Sequence, residues 1–317
     1  MDLNNKKIVL TGGSGFLGKR VKEKLIESGA SPSNIFIPRS KEYNLVNKKA
    51  CEEVVNGADV VIHLAAKVGG LWSHVNHQAD FFYENACMGI HLIDASYRAG
   101  VKKFVGLGSV CEYPDSAELP FKEESLWDGY PSKMTAPYGL AKKMMYVASN
   151  AYSSQFGFNA IHLLMINLFG PGDDFNEKTS HAIPALIRRV SHAKNNNLDS
   201  IEVWGDGSAS REFLFVDDAA EAIVMATQKY NSPDPINIGS GREIPMKLLI
   251  ELICKYMEYE GFIKWDTSKI GGQLRRKLDI EKAQINFDFT ANTAFEKGLM
   301  DTINWYSANL EKLNNEK

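Results

Sequence analysis

Residues 8 to 18 read Ile-Val-Leu-Thr-Gly-Gly-Ser-Gly-Phe-Leu-Gly, a short apolar run passing straight into glycines at 12, 15 and 18. Glycine at those places permits a tight turn, lets backbone approach a pyrophosphate and lets a helix pack closely on a strand. The helix that follows adds free N–H groups and the positive end of its dipole. A Gly-rich loop alone means little. Between a strand and a helix at the head of a βαβ unit, it commits the chain to an open α/β sheet with a dinucleotide site. Gly12, Gly15, Phe16, Leu17 and Gly18 are the first candidate cofactor contacts.

The remaining pattern agrees. Ile35-Phe36-Ile37, Val60-Val61-Ile62, Phe104-Val105-Gly106-Leu107 and Ile161 to Met165 are continuous apolar runs, as buried parallel strands require. Amphipathic stretches at roughly 16–29, 47–56, 76–99 and 136–156 fill the gaps as helices. The alternation predicts an α/β protein, a doubly wound parallel sheet of the Rossmann type. After Phe169-Gly170-Pro171-Gly172 the rhythm breaks into a loop, a helix over 181–195 and a short strand at Glu202-Val203-Trp204. Phe213-Leu214-Phe215-Val216 reads as a strand returning to the main sheet, with Asp217 as N-cap of a helix over 218–229. Helices follow near 245–258 and 292–312. The expected division is a dinucleotide-binding domain of 1–170 plus about 213–235, and a smaller mixed α/β substrate lobe of 171–212 plus about 236–317.

Charge and composition narrow the function. A net charge of -3 and a pI near 6.2 argue against a nucleic-acid binder. No apolar stretch reaches the ~18–20 residues that span a bilayer, and no signal-peptide core precedes the first strand. The cysteines at 51, 87, 111 and 254 are scattered without metal-ligand spacing. They read as reduced thiols in a cytoplasmic protein with no metal site.

The second strand ends in Pro38-Arg39-Ser40-Lys41. An acidic residue here would favour the ribose 2′-hydroxyl of NAD. Arg39 and Ser40 suit a 2′-phosphate instead and point to NADP(H); the bland alternative is a solvated basic turn, and Glu42 lies close by. Tyr138 and Lys142 are four apart and share a helix face. An ammonium and a nicotinamide cation beside the phenol favour its ionised form. Tyr138 can then exchange a proton with a carbonyl oxygen as hydride moves at carbon. Ser109, at the C-terminal end of the fourth strand, can hold the same oxygen.

These motifs resemble the extended short-chain dehydrogenase/reductase superfamily over essentially the whole chain. The segments His63-Leu-Ala-Ala-Lys-Val-Gly-Gly70, Gly108-Ser-Val-Cys-Glu-Tyr-Pro114, Ser180-His-Ala-Ile-Pro-Ala-Leu-Ile-Arg-Arg189 and Trp204 to Leu214 are similar to the GDP-L-fucose synthase family. The resemblance implies a 3,5-epimerase/4-reductase that takes GDP-4-keto-6-deoxy-D-mannose to GDP-L-fucose with NADPH. It makes Cys111 the base and His181 the acid that invert the carbons flanking the ketone. Thiol and imidazole both exchange protons near neutral pH; read in isolation, the two are a small buried thiol and a helix-terminal histidine. The resemblance places Leu64, Ala65, Ala66, Leu107, Tyr138, Lys142, Asn167, Leu168 and His181 around the cofactor. It gives Arg189, Trp204, Arg211 and Asp279 to the nucleotide sugar, although Arg188 and Trp204 fit lobe packing as well.

The chain departs from the family's Gly-Ser-Ser-Cys-Ile-Tyr-Pro at Val110 and Glu112, and carries Trp72-Ser73-His74 in the loop expected over the sugar. Lys269 to Arg276 matches the family's corresponding loop only loosely. These differences are expected in the sugar pocket. They keep open another GDP-linked keto sugar, such as a 6-deoxy-heptose or a dideoxy sugar, or one half of the chemistry alone. A non-enzymatic NADP(H)-binding protein on the same scaffold is the rival of another class. Helices 76–99 and 136–156 carry apolar residues around much of their surface, as burial against the sheet or a homodimer interface requires.

Overall fold

The computed structural model describes residues 1–268 and 273–315. Part of the loosely matching segment, 269–272, lies outside them. The first half alternates as the apolar runs predict: β1 (Ile8–Thr11), α1 (Phe16–Glu27), β2 (Ile35–Phe36), α2 (Lys48–Val55), β3 (Val60–His63), α3 (Leu71–Asn76), α4 (Gln78–Arg98), β4 (Lys103–Ser109), α5 (Ala136–Phe156) and β5 (Ala160–Met165). The second half runs β6 (Asn167–Phe169), α6 (Ala182–Asn195), β7 (Ser200–Trp204), β8 (Ser210–Phe215), α7 (Val216–Lys229), β9 (Ile236–Ile238), β10 (Glu243–Pro245), α8 (Met246–Tyr256), β11 (Phe262–Asp266), β12 (Arg275–Arg276), α9 (Glu281–Phe287), α10 (Phe295–Ala308) and α11 (Leu310–Asn315).

The central sheet has the order β2-β1-β3-β4-β5-β9, with every pairing parallel. Both faces are covered, which is why its strands are apolar throughout. Ile8, Leu10, Ile62 and Val105 join one core beneath α1 and α7, while Val9, Val61 and Phe104 join another beneath α2, α4 and α5. Strand order runs outward in both directions from β1, so a crevice opens at the C-terminal ends of β1 and β3.

Several expectations change. Phe213 to Val216 does not return to the central sheet: β8 pairs with β6, β10 and β12 in a second sheet. The last central strand is β9, which pairs with β5 from a stretch read as part of the smaller lobe. Asp217 is not the N-cap of α7. The helix starts at Val216, two residues earlier than expected, and Asp217 sits in its first turn 3.2 Å from the Arg20 guanidinium on α1. The helix expected over 76–99 is α4; a further short helix, α3, precedes it and ends at Asn76, with His77 between the two outside the helical region. Along α4 and α5, Phe81 and Met145 are buried, whereas Phe82, Ile90, Met144 and Val147 are exposed.

Candidate active site

A cleft of about 880 Å³ lies between the central sheet and the smaller lobe. Its floor is the glycine loop. Gly15 is the N-cap of α1 with no side-chain cap, so the first-turn N–H groups stay available to an anion. A Cβ on Gly18 would lie 2.1 Å from the Gly12 carbonyl oxygen, so α1 can approach the loop this closely only with glycine there. Arg39 and Ser40 are exposed on the cleft wall, and Lys41 and Glu42 do not line it. This half fits a dinucleotide carrying a 2′-phosphate. Gly12, Phe16, Leu17, Leu64, Ala65, Ala66, Leu107, Asn167 and Leu168 line the same cleft. Beneath it, His63 bonds the Thr11 hydroxyl at 2.8 Å. Burial, helped by the Lys142 charge, holds that imidazole down at about 3 and hence neutral.

Ser109, Cys111, Tyr138, Lys142 and His181 also face this cleft. β4 ends at Ser109, whose hydroxyl accepts the N–H of Cys111 at 3.2 Å and starts a 3₁₀ turn over Val110–Glu112. Tyr138 comes from the first turn of α5. Its neighbour Gly139 packs on that 3₁₀ turn: a Cβ there would lie 2.0 Å from the Cys111 carbonyl oxygen. Burial pushes the Tyr138 phenol far above its ordinary value, Cys111 and Glu112 add to the rise, and a hydrogen bond with Ser109 opposes it. The sequence reading expected the Lys142 ammonium and a nicotinamide cation to lower it. In the protein itself burial dominates, which keeps the phenolic proton in place for donation. Burial also holds Lys142 down at about 8, against support from the Glu112 charge. The Cys111 sulfur is half-buried and accepts from Arg276 Nη1 at 3.5 Å. His181 is the N-cap residue of α6 and opens onto the cleft. Burial lowers its pKa, opposed by Asp174 and by a hydrogen bond with the Gly69 backbone.

The sugar side is less as expected. Arg211 lines the cleft, and Arg276 lies beside it in register on β12. Burial and then the Arg276 charge hold Arg211 at about 10. Arg189 and Trp204 are not in the cleft lining; the guanidinium lies 5.3 Å over the indole and donates to the Glu202 carbonyl at 3.1 Å. Asp279 does not line the cleft either; its carboxylate accepts the N–H of Glu281 at 3.1 Å at the start of α9.

In place of these, the fold brings in His74, Thr135, Asp173 and Arg276, which the sequence reading did not assign to the site. His74 stands edge-on to the Tyr138 ring at 5.2 Å, and burial, with the charges of His181 and Arg276, holds it at about 4. The signals for His74 and Arg276 were the departures at 72–74 and 269–276. Thr135 and Asp173 carried none. Val110 lines the cleft as its place suggested, but Glu112 is fully buried beneath it and is no part of a sugar pocket.

Comparison with known proteins accords with this geometry. Residues 8–239 match the model of the NAD dependent epimerase/dehydratase family. GDP-L-fucose synthase 1 of Arabidopsis thaliana is 35% identical over 312 residues, covering 98% of this chain and 96% of that protein. A GDP-6-OMe-4-keto-L-xylo-heptose reductase from C. jejuni superposes with a TM-score of 0.89 at 26% identity, covering 98% of this chain and 99% of the other. A GDP-L-fucose synthetase from Naegleria fowleri bound to NADP gives a TM-score of 0.85 at 28% identity over 97% of this chain and 96% of that one. The chain belongs to the NAD dependent epimerase/dehydratase family, within its GDP-L-fucose synthase branch.

Proposed function

We propose that the protein is an NADPH-dependent 3,5-epimerase/4-reductase of a GDP-4-keto-6-deoxy sugar, converting GDP-4-keto-6-deoxy-D-mannose to GDP-L-fucose. The observation that carries this reading is one cleft faced by both a Ser109/Tyr138/Lys142 set and a Cys111/His181 pair. A reductase alone has no use for the second pair, and an epimerase alone has no use for the basic wall at Arg39 and Ser40.

The ketone draws electrons from its neighbouring carbons, and the hydroxyls of Tyr138 and Ser109 stabilise the enolate oxygen that forms when a proton leaves. Cys111 takes the carbon-bound proton from one face, and His181 returns one from the other. Arg276 donates to the Cys111 sulfur at 3.5 Å and holds it at the cleft wall. NADPH, held by the glycine loop and the Arg39–Ser40 wall, would supply the hydride that the ketone carbon accepts. Tyr138 then gives its proton to the ketone oxygen, while Lys142 keeps a positive charge beside the phenol that favours the resulting phenolate. Arg211 and Arg276 offer a pair of guanidiniums to the diphosphate. Farther out, Trp204 at the end of β7 and Arg189 on α6 offer a stacking surface to the nucleoside, and Asp279 is assigned to the same nucleotide-sugar side.

One incubation in D₂O with NADPH and GDP-4-keto-6-deoxy-mannose tests the reading by NADPH absorbance and product NMR. The expected product has the fucose configuration, with deuterium at C3 and C5. Reduction without deuterium would reassign Cys111 and His181 and leave a simple 4-reductase.

A second reading, the same chemistry on a GDP-linked keto heptose, draws on the likeness to the C. jejuni heptose reductase and on His74 at the Tyr138 ring. Faster turnover of a GDP-4-keto-heptose would select it. No helix among the described residues is long and apolar enough to cross a membrane, and we place the protein in the cytoplasm. We also assign a homodimer through α4 and α5, on the exposed Phe82, Tyr83, Ile90, Met144 and Val147. Light scattering on wild type and Val147→Glu tests it; a wild-type monomer would remove it.

A further inference from the structure

The turn that carries Ser109 and Cys111 rests on a buried acid. Glu112 is fully buried and points away from the cleft. Its Oε1 accepts the backbone N–H of Ser109 at 2.7 Å, completing a reciprocal cap with the Ser109 hydroxyl. On its other side is His162 of β5, equally buried, whose Nε2 lies 3.1 Å from each carboxylate oxygen. An ionised carboxylate only accepts, so His162 is the donor through Nε2–H. The backbone closes tightly over the pair. A Cβ on Gly108 would lie 2.3 Å from His162 Nε2 and 2.5 Å from Glu112 Oε1. Packing alone does not call for this arrangement, since apolar side chains of similar volume commonly hold a core as well as a buried ion pair does.

We propose that Glu112 and His162 are positioning residues for both halves of the chemistry. The carboxylate fixes the turn that presents the Ser109 hydroxyl and the Cys111 thiol, and sets the field under Tyr138 and Lys142 from below. The inference rests on the reading of those four as reacting groups. The titratable groups around Glu112 are His162 from β5, Tyr113 next to it in the chain, and Tyr138, Lys142, Lys143 and Tyr146 from α5. Tyr138 also faces Cys111 from the turn and His74 from α3. The Glu112 charge favours the protonated form of each neighbour on α5, raising the Tyr138 phenol and supporting the Lys142 ammonium against burial.

Two variants test this. Glu112→Gln keeps an acceptor for Ser109 and removes the charge. NADPH affinity is expected to hold. The alkaline limb of the reduction profile should move down by about one pH unit, because Tyr138 and Lys142 both lose protons earlier. The same shift should appear in the tyrosinate absorbance of the NADP⁺-bound protein, with Tyr138→Phe as the blank. In the paired variant Glu112→Leu/His162→Leu the core stays filled, but nothing receives the Ser109 N–H. It should fold with a Tm lowered by only a few degrees for the unpaired N–H, yet lose about tenfold or more in kcat.

Wild-type kcat in the folded pair, or an unshifted titration in Glu112→Gln, would overturn the proposal. If the paired variant fails to fold, the titration decides alone. The titration needs no sugar. A wild-type protein that leaves GDP-4-keto-6-deoxy-mannose untouched would therefore unseat the substrate reading without deciding the role of Glu112.

Discussion

The two halves of the cleft are built differently. The cofactor half draws most of its residues from in and just after β1, β2, β3 and β4, with Asn167 and Leu168 from β6, and it is lined largely by backbone: a glycine loop, a helix end and the strand ends around Ala65. The sugar half is lined by His74 from α3, His181 from the N-cap of α6, Arg211 from β8 and Arg276 from β12, all through long side chains. A site fixed by backbone at the ends of neighbouring sheet strands varies little when a surface residue changes. A site assembled from four distant elements can be retuned at one position without disturbing the others, and two of this chain's departures, His74 and Arg276, fall in that half.

Four variants probe the contrast. Tyr138 stands where the halves meet, so Tyr138→Phe should cost the largest factor, about 10²–10⁴-fold in reduction, with NADPH binding retained in a fluorescence titration. Normal turnover would remove Tyr138 as proton donor. Cys111→Ser belongs to the sugar half alone: exchange of the sugar's carbon-bound protons into D₂O should nearly stop, while some hydride transfer survives. Equal loss of both would mean that the halves act as one.

Arg39→Ala touches only the cofactor half. It should weaken NADPH by about 10- to 100-fold relative to NADH, the worth of a lost charge-assisted contact to phosphate. An unchanged preference would make Arg39 a solvated turn residue. Trp204→Ala is expected to have the smallest effect, raising KM for the GDP-sugar about tenfold through lost stacking, with kcat unaltered. An unchanged KM would confine nucleotide recognition to Arg211 and Arg276.

The same contrast explains what could be read from the sequence. The cofactor half was legible because its residues are contiguous and its motif has a local physical cause. Phe213 to Val216 was misplaced because its composition and burial match a central strand. Only its partners, β6, β10 and β12, reveal the other sheet, and partners are not a local property. The central slot went to three residues, Ile236–Ile238, too short a run to stand out. Glu112 is expected in the sugar pocket because it departs from the family's motif next to Cys111. The 3₁₀ turn that begins at Val110 rotates it inward instead, onto a histidine fifty residues away. His74 meets Tyr138 from α3, a six-residue helix that ends at Asn76 before α4 begins.

The glycine beside Tyr138 carries a consequence for redesign. Because Gly139 lets α5 rest on the carbonyl of Cys111, the proton donor for reduction and the base for inversion share one rigid seat. Moving either by reshaping the backbone moves its companion. A laboratory or a lineage that wants only one of the two reactions must therefore strip functional atoms from a side chain. Sliding the helix would spoil both.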